Sequence, residues 1–290
     1  MMHIPVMLEE AIAGLAIGEC GTYWDGTFGR GGHSRAILSR LGLDGRLIGS
    51  DRDAAAQAAA SAIEDARFVF IRGAIEAVLG QIPEGLAGFL WDLGLSTPQL
   101  EDAQRGFSFQ KDGPLDMRMD QSQTTSAYEL VNQTPEKELA DLIYQFGEER
   151  FSRRIASRIV EERSRQPIAD TQTLADICRR CYPRRHHRIH PATRTFQALR
   201  IAVNDELGQL ARTLPLALQK LAAGGRGVVI SFHSLEDRIV KHCFRDLAKT
   251  GAFALCTKKP LSPTEEEQSR NPASRSAKLR IIERAQGAAS

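Results

Sequence analysis

The chain has 290 residues, 38 Lys and Arg against 36 Asp and Glu, a formal net charge of +2 and five cysteines. At roughly 150 residues per domain, this length predicts about two domains, or one large α/β domain carrying an insertion. An apolar share of 42% with 24 glycines excludes a disordered chain, and no apolar run approaches the roughly 18 residues that a membrane span requires. Glu9 and Glu10 stand where a secretory leader would be basic. An odd, sparse set of cysteines suits a reducing compartment, so the expected location is cytoplasmic.

Strand and helix patterns alternate over the first ninety or so residues. Residues 21–25 read as a short strand ending in Trp24-Asp25, followed by a glycine-rich turn. A helix over 32–41 turns Ala36, Ile37, Leu38 and Leu41 inward. Arg46–Asp51 is a second strand, and alanine-rich 54–63 a second helix. Residues 68–71 predict a third, fully buried strand, and Leu86–Asp92 a fourth. Strands and helices at this spacing predict a parallel sheet with helices on both faces.

From Leu100 to Pro191 there are helical patterns but no strand. Thr134-Pro135 predicts an N-cap followed by proline at the first helical position. Phe151, Ile155 and Ile159 recur every four residues, with Arg150, Arg154 and Arg158 beside them. Thr173 opens another short helix. A long helix follows Pro191, then Gly224-Gly225, a buried strand at 227–232, a helix at 234–247 and an edge strand at 279–282. The expected architecture is an α/β domain, discontinuous over 1–104 and 192–290, with a helical domain inserted at 105–191.

The balanced net charge hides an asymmetry. Residues 1–149 carry a net −12 and residues 150–200 a net +9. A basic block of that density is a candidate polyanion surface, because phosphates attract clustered arginines through long-range potential and counterion release. A solvated helical face is the ordinary alternative.

The segment Trp24-Asp25-Gly26-Thr27-Phe28-Gly29-Arg30-Gly31-Gly32-His33 falls between the first strand and the first helix. Glycines there permit a sharp turn and close approach of a ligand beside a helix N-terminus. It lacks the Gly-Lys-Ser/Thr of a P-loop, and Ser34 replaces the third glycine of the dinucleotide fingerprint. Asp51 ends the second strand, 22 residues beyond Gly29, where an acid can accept ribose hydroxyl hydrogens. Asp92 ends the fourth strand, at the carboxyl edge where open sheets bind ligands. One such acid is as readily a turn former; three, with Asp25, favour a site.

Together these residues resemble a class I S-adenosylmethionine-dependent methyltransferase, with a Rossmann-like, mostly parallel sheet and an inserted all-helical domain. More narrowly, the chain resembles the bacterial ribosomal small-subunit RNA methyltransferase H family. The carrying motifs run in order from His3 to Glu10 and from Asp25 to His33, then through Asp92-Leu93-Gly94-Leu95-Ser96-Thr97-Pro98-Gln99-Leu100 and Arg105-Gly106-Phe107-Ser108-Phe109. They continue with Gly113-Pro114-Leu115-Asp116-Met117-Arg118-Met119-Asp120, Gly147-Glu148-Glu149-Arg150, the stretch from His190 to Arg200, and Ser231-Phe232-His233-Ser234-Leu235-Glu236-Asp237-Arg238.

The resemblance implies transfer of a methyl group from S-adenosylmethionine to N4 of a cytosine in 16S rRNA, on the RNA or the small ribosomal subunit, with no membrane partner and a homodimer left open. It places the cofactor against Gly31, Gly32, His33, Asp51, Ile75, Asp92 and Gln99. Ile75 would cover the adenine by apolar contact, without ring stacking.

Cytosine N4 is a poor nucleophile because its lone pair is delocalised into the ring. Acceptors aimed at its hydrogens would localise that pair. Exocyclic-amine methyltransferases carry an Asp/Asn/Ser-Pro-Pro-aromatic turn for this purpose, and Ser96-Thr97-Pro98-Gln99 is the nearest equivalent. The missing aromatic leaves Phe107 or Phe109 as the stacking platform. Ser96 and Pro98 are thus expected catalytic residues, with His233 as a candidate acceptor of the N4 proton or a mere helix cap. Phe107, Asp116, Arg118, Arg150, Arg154, Arg194 and Arg200 are the expected RNA contacts. On the helix after Pro191, Arg194, Gln197, Arg200 and Asn204 make a polar stripe beside the apolar Phe196, Leu199, Val203, Leu207 and Leu210.

Carbon-5 methylation would need a cysteine nucleophile, typically after proline, and no cysteine here follows one. Cys178 and Cys181, with His186, His187 and His190, have only superficial zinc spacing, and no metal is expected. Two other classes remain at this stage. A nicotinamide oxidoreductase would share the glycine turn and Asp51, and a noncatalytic RNA-binding protein would share the basic block.

Overall fold

The computed structural model describes residues 5–183 and 189–287. The chain divides into two units, Met1–Gly94 with Leu207–Ser290 and, between them in sequence, Leu95–Glu206. The insertion expected at 105–191 lies inside the second of these.

In the first unit, α1 (Leu8–Leu15) precedes β1 (Thr22–Asp25), α2 (Gly32–Leu38), β2 (Arg46–Asp51), α3 (Ala54–Ala60), β3 (Phe68–Arg72), α4 (Ile75–Val78) and β4 (Leu86–Asp92). Asp53 caps α3 by accepting the Ala55 N–H at 2.9 Å, one of the donors that a helix start leaves unpaired. The first turn of α1 was not evident from the sequence. It begins beyond Met7, whose φ of 50° is left-handed and whose N–H donates to Glu267 Oε1 at 2.6 Å.

The helical unit holds α5 (Thr97–Glu101), α6 (Ala127–Gln133), α7 (Glu136–Gly147), α8 (Ser152–Arg163), α9 (Thr171–Arg180) and α10 (Thr193–Asn204). Its core is Leu115, Val131, Leu139, Ile143, Ile155, Ile159, Leu174 and Phe196, among others. The four-residue spacing of Ile155 and Ile159 therefore buries one face of α8 and leaves the arginines beside it outward. Among the described residues there is no strand here, only a bridge between Pro114 and Asp170. Thr134 closes α6 and Pro135 is the N-cap of α7, one position from the expected arrangement.

The chain continues with α11 (Glu206–Gln219), β5 (Leu221–Ser231), α12 (Ser234–Lys249), β6 (Phe253–Leu255), α13 (Glu265–Arg270) and β7 (Lys278–Arg284). The single long helix expected after Pro191 is two, because Asp205 adopts a φ of 47° and ends α10. β5 starts six residues before the expected 227, since the backbone passes through Gly224-Gly225 with a shift of register against β4.

The seven strands order as β3-β2-β1-β4-β5-β7-β6. The first five are parallel, and β7 runs antiparallel to β5 and β6. Two expectations fail at the margins. β3 is an edge strand with Val69 56% exposed, not a buried one: Phe68 and Phe70 pack on Phe28 and Ile71 reaches the tryptophan side of the core, each only partly buried, because one side of the strand has no neighbour. β7 is interior, because the short β6 pairs along its far side.

Alternate side chains along a strand face opposite sides of the sheet. Trp24, Phe89, Trp91 and Val229 pack on one side with Leu214 and Phe244. Tyr23, Leu90, Val228 and Ile230 pack on the other with Ile12, Leu15 and Ile37. The strand order reverses direction between β1 and β4, and the carboxyl ends at such a switch point are where doubly wound sheets bind ligands.

Candidate functional site

Asp25, Asp51 and Asp92 end β1, β2 and β4, three adjacent parallel strands; Asp25 stands opposite Gly49 and Leu90, so Asp51 and Asp92 each extend two residues beyond it on the same edge. Asp25 is 1% exposed. Its carboxylate accepts the Thr27 N–H at 3.2 Å and the Ser34 hydroxyl at 2.6 Å. Burial outweighs both bonds and pushes its pKa up to about 6, with the Asp51 charge adding to the rise. Ser34, which stands where the fingerprint has its third glycine, makes the shorter of those two bonds.

The turn after β1 is held from several sides. Gly26 N–H donates to Leu90 O at 3.0 Å, Phe28 N–H to Ser50 O at 3.0 Å and Gly31 N–H to Phe28 O at 2.7 Å. Gly31 has a φ of 74°, and a Cβ there would lie 2.6 Å from the Phe28 ring, so only glycine fits before α2. Asp51 ties the turn to β2: Oδ2 accepts the Gly29 N–H at 2.8 Å and Oδ1 the Asp53 N–H at 2.9 Å. A carboxylate offers about four acceptor positions, so two remain for hydroxyl donors. Burial again raises its pKa.

Asp92 keeps 20% side-chain exposure, yet burial raises its pKa well above the usual carboxylate range, with help from Asp25, Glu236 and Glu267. Its Oδ1 is buried and has no hydrogen-bond partner. Oδ2 lies 3.8 Å from His33 Nδ1. His33 Nε2 is 3.1 Å from the Val6 carbonyl, which can only accept, so Nε2 carries the proton. Ile75 opens α4 and is half-buried against the tryptophan side of the sheet.

A cluster of buried carboxylates with one oxygen unsatisfied calls for a cationic, hydrogen-bonding ligand. S-adenosylmethionine, with its sulfonium, ammonium and ribose hydroxyls, fits that donor set. Glu236 and Glu267 belong to this surrounding and were missed in the sequence. Glu267 lies in a run of three glutamates with no periodic cue, and Glu236 looked like a capping residue.

Glu236 is a capping residue as well: Oε2 accepts the N–H groups of Phe232 at 2.8 Å and His233 at 3.2 Å. His233 is the N-cap of α12, its Nδ1 accepting the Glu236 N–H at 3.4 Å. The proton therefore sits on Nε2, which is 3.3 Å from Glu236 Oε1 but makes no aligned bond. His233 must change tautomer and release its cap before it can accept a proton.

Ser96, Pro98 and Gln99 belong to the helical unit. Ser96 is the N-cap of α5, its N–H donating to Gln99 Oε1 at 2.9 Å, and Pro98 sits in the first turn. Phe107 is 6% exposed within the helical core, with the Arg105 guanidinium 5.7 Å over its ring, so it presents no free face for stacking. Phe109 stacks on His190 at 4.5 Å and meets Phe196 edge-on at 5.0 Å.

The expected RNA contacts divide. Arg118 grips Asp116 with two 2.8 Å bonds and donates to Gln123 O at 2.6 Å, and the guanidinium holds the Asp116 carboxyl below its usual range. Arg200 binds Glu206 with bonds of 2.8 and 2.9 Å, and Arg194 donates to Glu148 O at 3.2 Å. Gln197 donates to Phe146 O, while Asn204 bridges Met117, Met119 and Arg200. Arg150 and Arg154 are exposed, Arg150 lying 4.6 Å over the Phe151 ring.

Cys178 is buried, which pushes its thiol up to about 12. No group of three metal-ligating side chains exists among the described residues; His186 and His187 lie outside them.

Strand order, glycine turn and strand-end acids define a class I, Rossmann-like methyltransferase fold. The chain belongs to the MraW methylase family, matching it over residues 1–285. It is 48% identical to the ribosomal RNA small subunit methyltransferase H of Coxiella burnetii strain RSA 331, across 97% of this chain and 98% of the relative, and equally so to that of strain Dugway 5J108-111. Among solved structures, an rRNA methylase from Streptococcus thermophilus aligns over 99% of both chains at 11% identity and a TM-score of 0.42.

Proposed function

We propose that the protein transfers the methyl group of S-adenosylmethionine to the exocyclic N4 of a cytosine in 16S rRNA of the small ribosomal subunit. The observation that carries this reading is the Asp92 carboxylate at the sheet's switch point, with a buried oxygen lacking a partner and other carboxylates around it. The relatives, ribosomal RNA small subunit methyltransferases H, supply the RNA, and the absence of any cysteine after a proline favours an amine over carbon 5.

When bound, S-adenosylmethionine supplies a methyl group on a positively charged sulfur that leaves as a neutral thioether. Asp51 accepts the ribose hydroxyls with the lone pairs its backbone partners leave unused. Asp92 accepts a further donor through Oδ1, and Ile75 covers the adenine. Gly31, Gly32 and His33 shape the turn that lets the cofactor approach.

Ser96 and the turn through Pro98 accept the N4 hydrogens and localise the lone pair. His233 holds α12 in place, and the N4 proton passes to water unless its cap opens. Arg150 and Arg154 bind RNA phosphates. The cytosine is unstacked or single-stranded when it reacts, since N4 must meet the methyl group in line.

The test is methylation of 16S rRNA and of small subunits with isotope-labelled S-adenosylmethionine, followed by mass spectrometry of the nucleosides. Label in N4-methylcytidine is the expected result; label on carbon 5 or on a ribose oxygen overturns the assignment.

A further inference from the structure

The helical unit carries a cavity of about 370 Å³ lined by Arg154, Ser157, Arg158, Glu161, Arg180 and Cys181. Four of these recur at i, i+3, i+4 and i+7 along one face of α8, and Arg180 and Cys181 come from the end of α9. Cys181 is 2% exposed and packs its sulfur 3.7 Å from the Arg154 carbonyl.

The charges around it do not balance. Glu161 pairs with Arg158 at 2.6 Å and Arg165 at 2.7 Å, while Glu162 lies 3.1 Å from Arg158 and 3.9 Å from Arg180. Two carboxylates thus serve four guanidiniums, counting Arg154, which has no carboxylate partner among the described residues. The shared glutamates hold Arg158 and Arg180 in place before any ligand arrives, which lowers the ordering cost of binding.

We infer that this cavity is a phosphodiester subsite for the RNA backbone, a reading that rests on the RNA substrate proposed above. Arginine forks match phosphate oxygens two at a time. The cavity opens to the surface and is roomier than a lone tetrahedral anion needs, so a ribose–phosphate unit fits. Ser157 adds a hydroxyl donor. The half-exposed Arg180 is 59% exposed and Arg158 38%, so both stay within reach of a strand lying on the surface.

The experiment measures binding of the full chain to 16S rRNA across a salt series for wild type, R154A/R180A and R180K. The double variant should bind at least tenfold more weakly at low salt. Its slope of log affinity against log salt should flatten by about 0.7–0.9, as expected for one lost phosphate contact. S-adenosylmethionine affinity and melting temperature should stay unchanged, and R180K, which keeps the charge but not the fork, should preserve the slope better than the affinity.

Equal RNA affinity and slope in wild type and double variant overturn the subsite while leaving the methyltransferase reading intact. A wild type that binds neither 16S rRNA nor small ribosomal subunits, titrated in parallel, removes both. Inorganic phosphate titrated by calorimetry separates the two sources of the anion. If phosphate binding is lost in R154A/R180A while RNA binding is not, the cavity takes free phosphate and the RNA subsite is overturned.

Discussion

Asp25 and Asp92 at the strand ends receive hydrogen bonds or contacts from backbone groups, a serine and a histidine, and no Lys or Arg pairs with them among the described residues. In the helical unit, Arg118, Arg194 and Arg200 are all bound to carboxylates or carbonyls of that same unit. Both sets are charged side chains in family motifs, and both were nominated for ligands. One set keeps unspent capacity and the other is largely occupied in holding its own unit together. Burial without compensation marks a ligand site, because an uncompensated charge is destabilising unless something arrives to satisfy it.

The sharpest way to break this contrast is Asp51→Ala. It removes two backbone anchors and the proposed ribose acceptor together, so calorimetry should show S-adenosylmethionine affinity falling at least 100-fold, about 3 kcal/mol. Unchanged affinity would show that the strand-end acids are structural only.

Next is Arg200→Ala, which leaves Glu206, 8% exposed, without its partner. Stability should drop by about 2–4 kcal/mol in denaturant unfolding, and adding Glu206→Gln should recover part of the loss. An Arg200→Ala variant that weakens RNA binding without any loss of stability would favour the expected RNA contact over the structural pair.

Asp25→Asn tests the opposite direction. A folded pKa near 6 against the usual 3.8 means that the native state holds a proton the unfolded chain has released between those values. Stability therefore falls as pH rises through that window, by up to about 3 kcal/mol. The asparagine variant should be about 1–3 kcal/mol more stable at neutral pH and lose this pH dependence. An unaltered pH profile of melting would discredit the buried charge. The smallest effect expected is Arg150→Ala: loss of its exposed ring contact should cost about 0.5–1 kcal/mol of stability at most, and loss of its phosphate contact should lower RNA affinity a few-fold without a change in cofactor binding.

The sequence was most readable where one physical rule acted alone. β2 and β4 have the predicted bounds because apolar runs ending in an acid have little alternative. β3 looked buried because Phe68-Val69-Phe70-Ile71 is apolar throughout, but edge position depends on pairing with strands distant in sequence. The break at Asp205 was hidden because its neighbours continue a helical pattern. The glycine turn and the strand-end acids were legible by spacing, whereas the ionic partners of Arg118 and Arg200 were not, since a periodic stripe says nothing of what lies opposite. Glu267, brought near Asp92 from the C-terminal region, left no local trace.

Burial of Cys178 has a practical consequence for labelling. Cys20 and Cys256 are exposed, Cys243 is partly so, and Cys178 and Cys181 are buried. With its thiol pushed up to about 12, Cys178 holds almost no thiolate near neutrality, so a maleimide dye should ignore it. Cys20 and Cys256 both lie in the α/β unit, and replacing one of them and Cys243 by serine leaves the other as a single site for a fluorescent label, with no need to strip the thiols from the helical core.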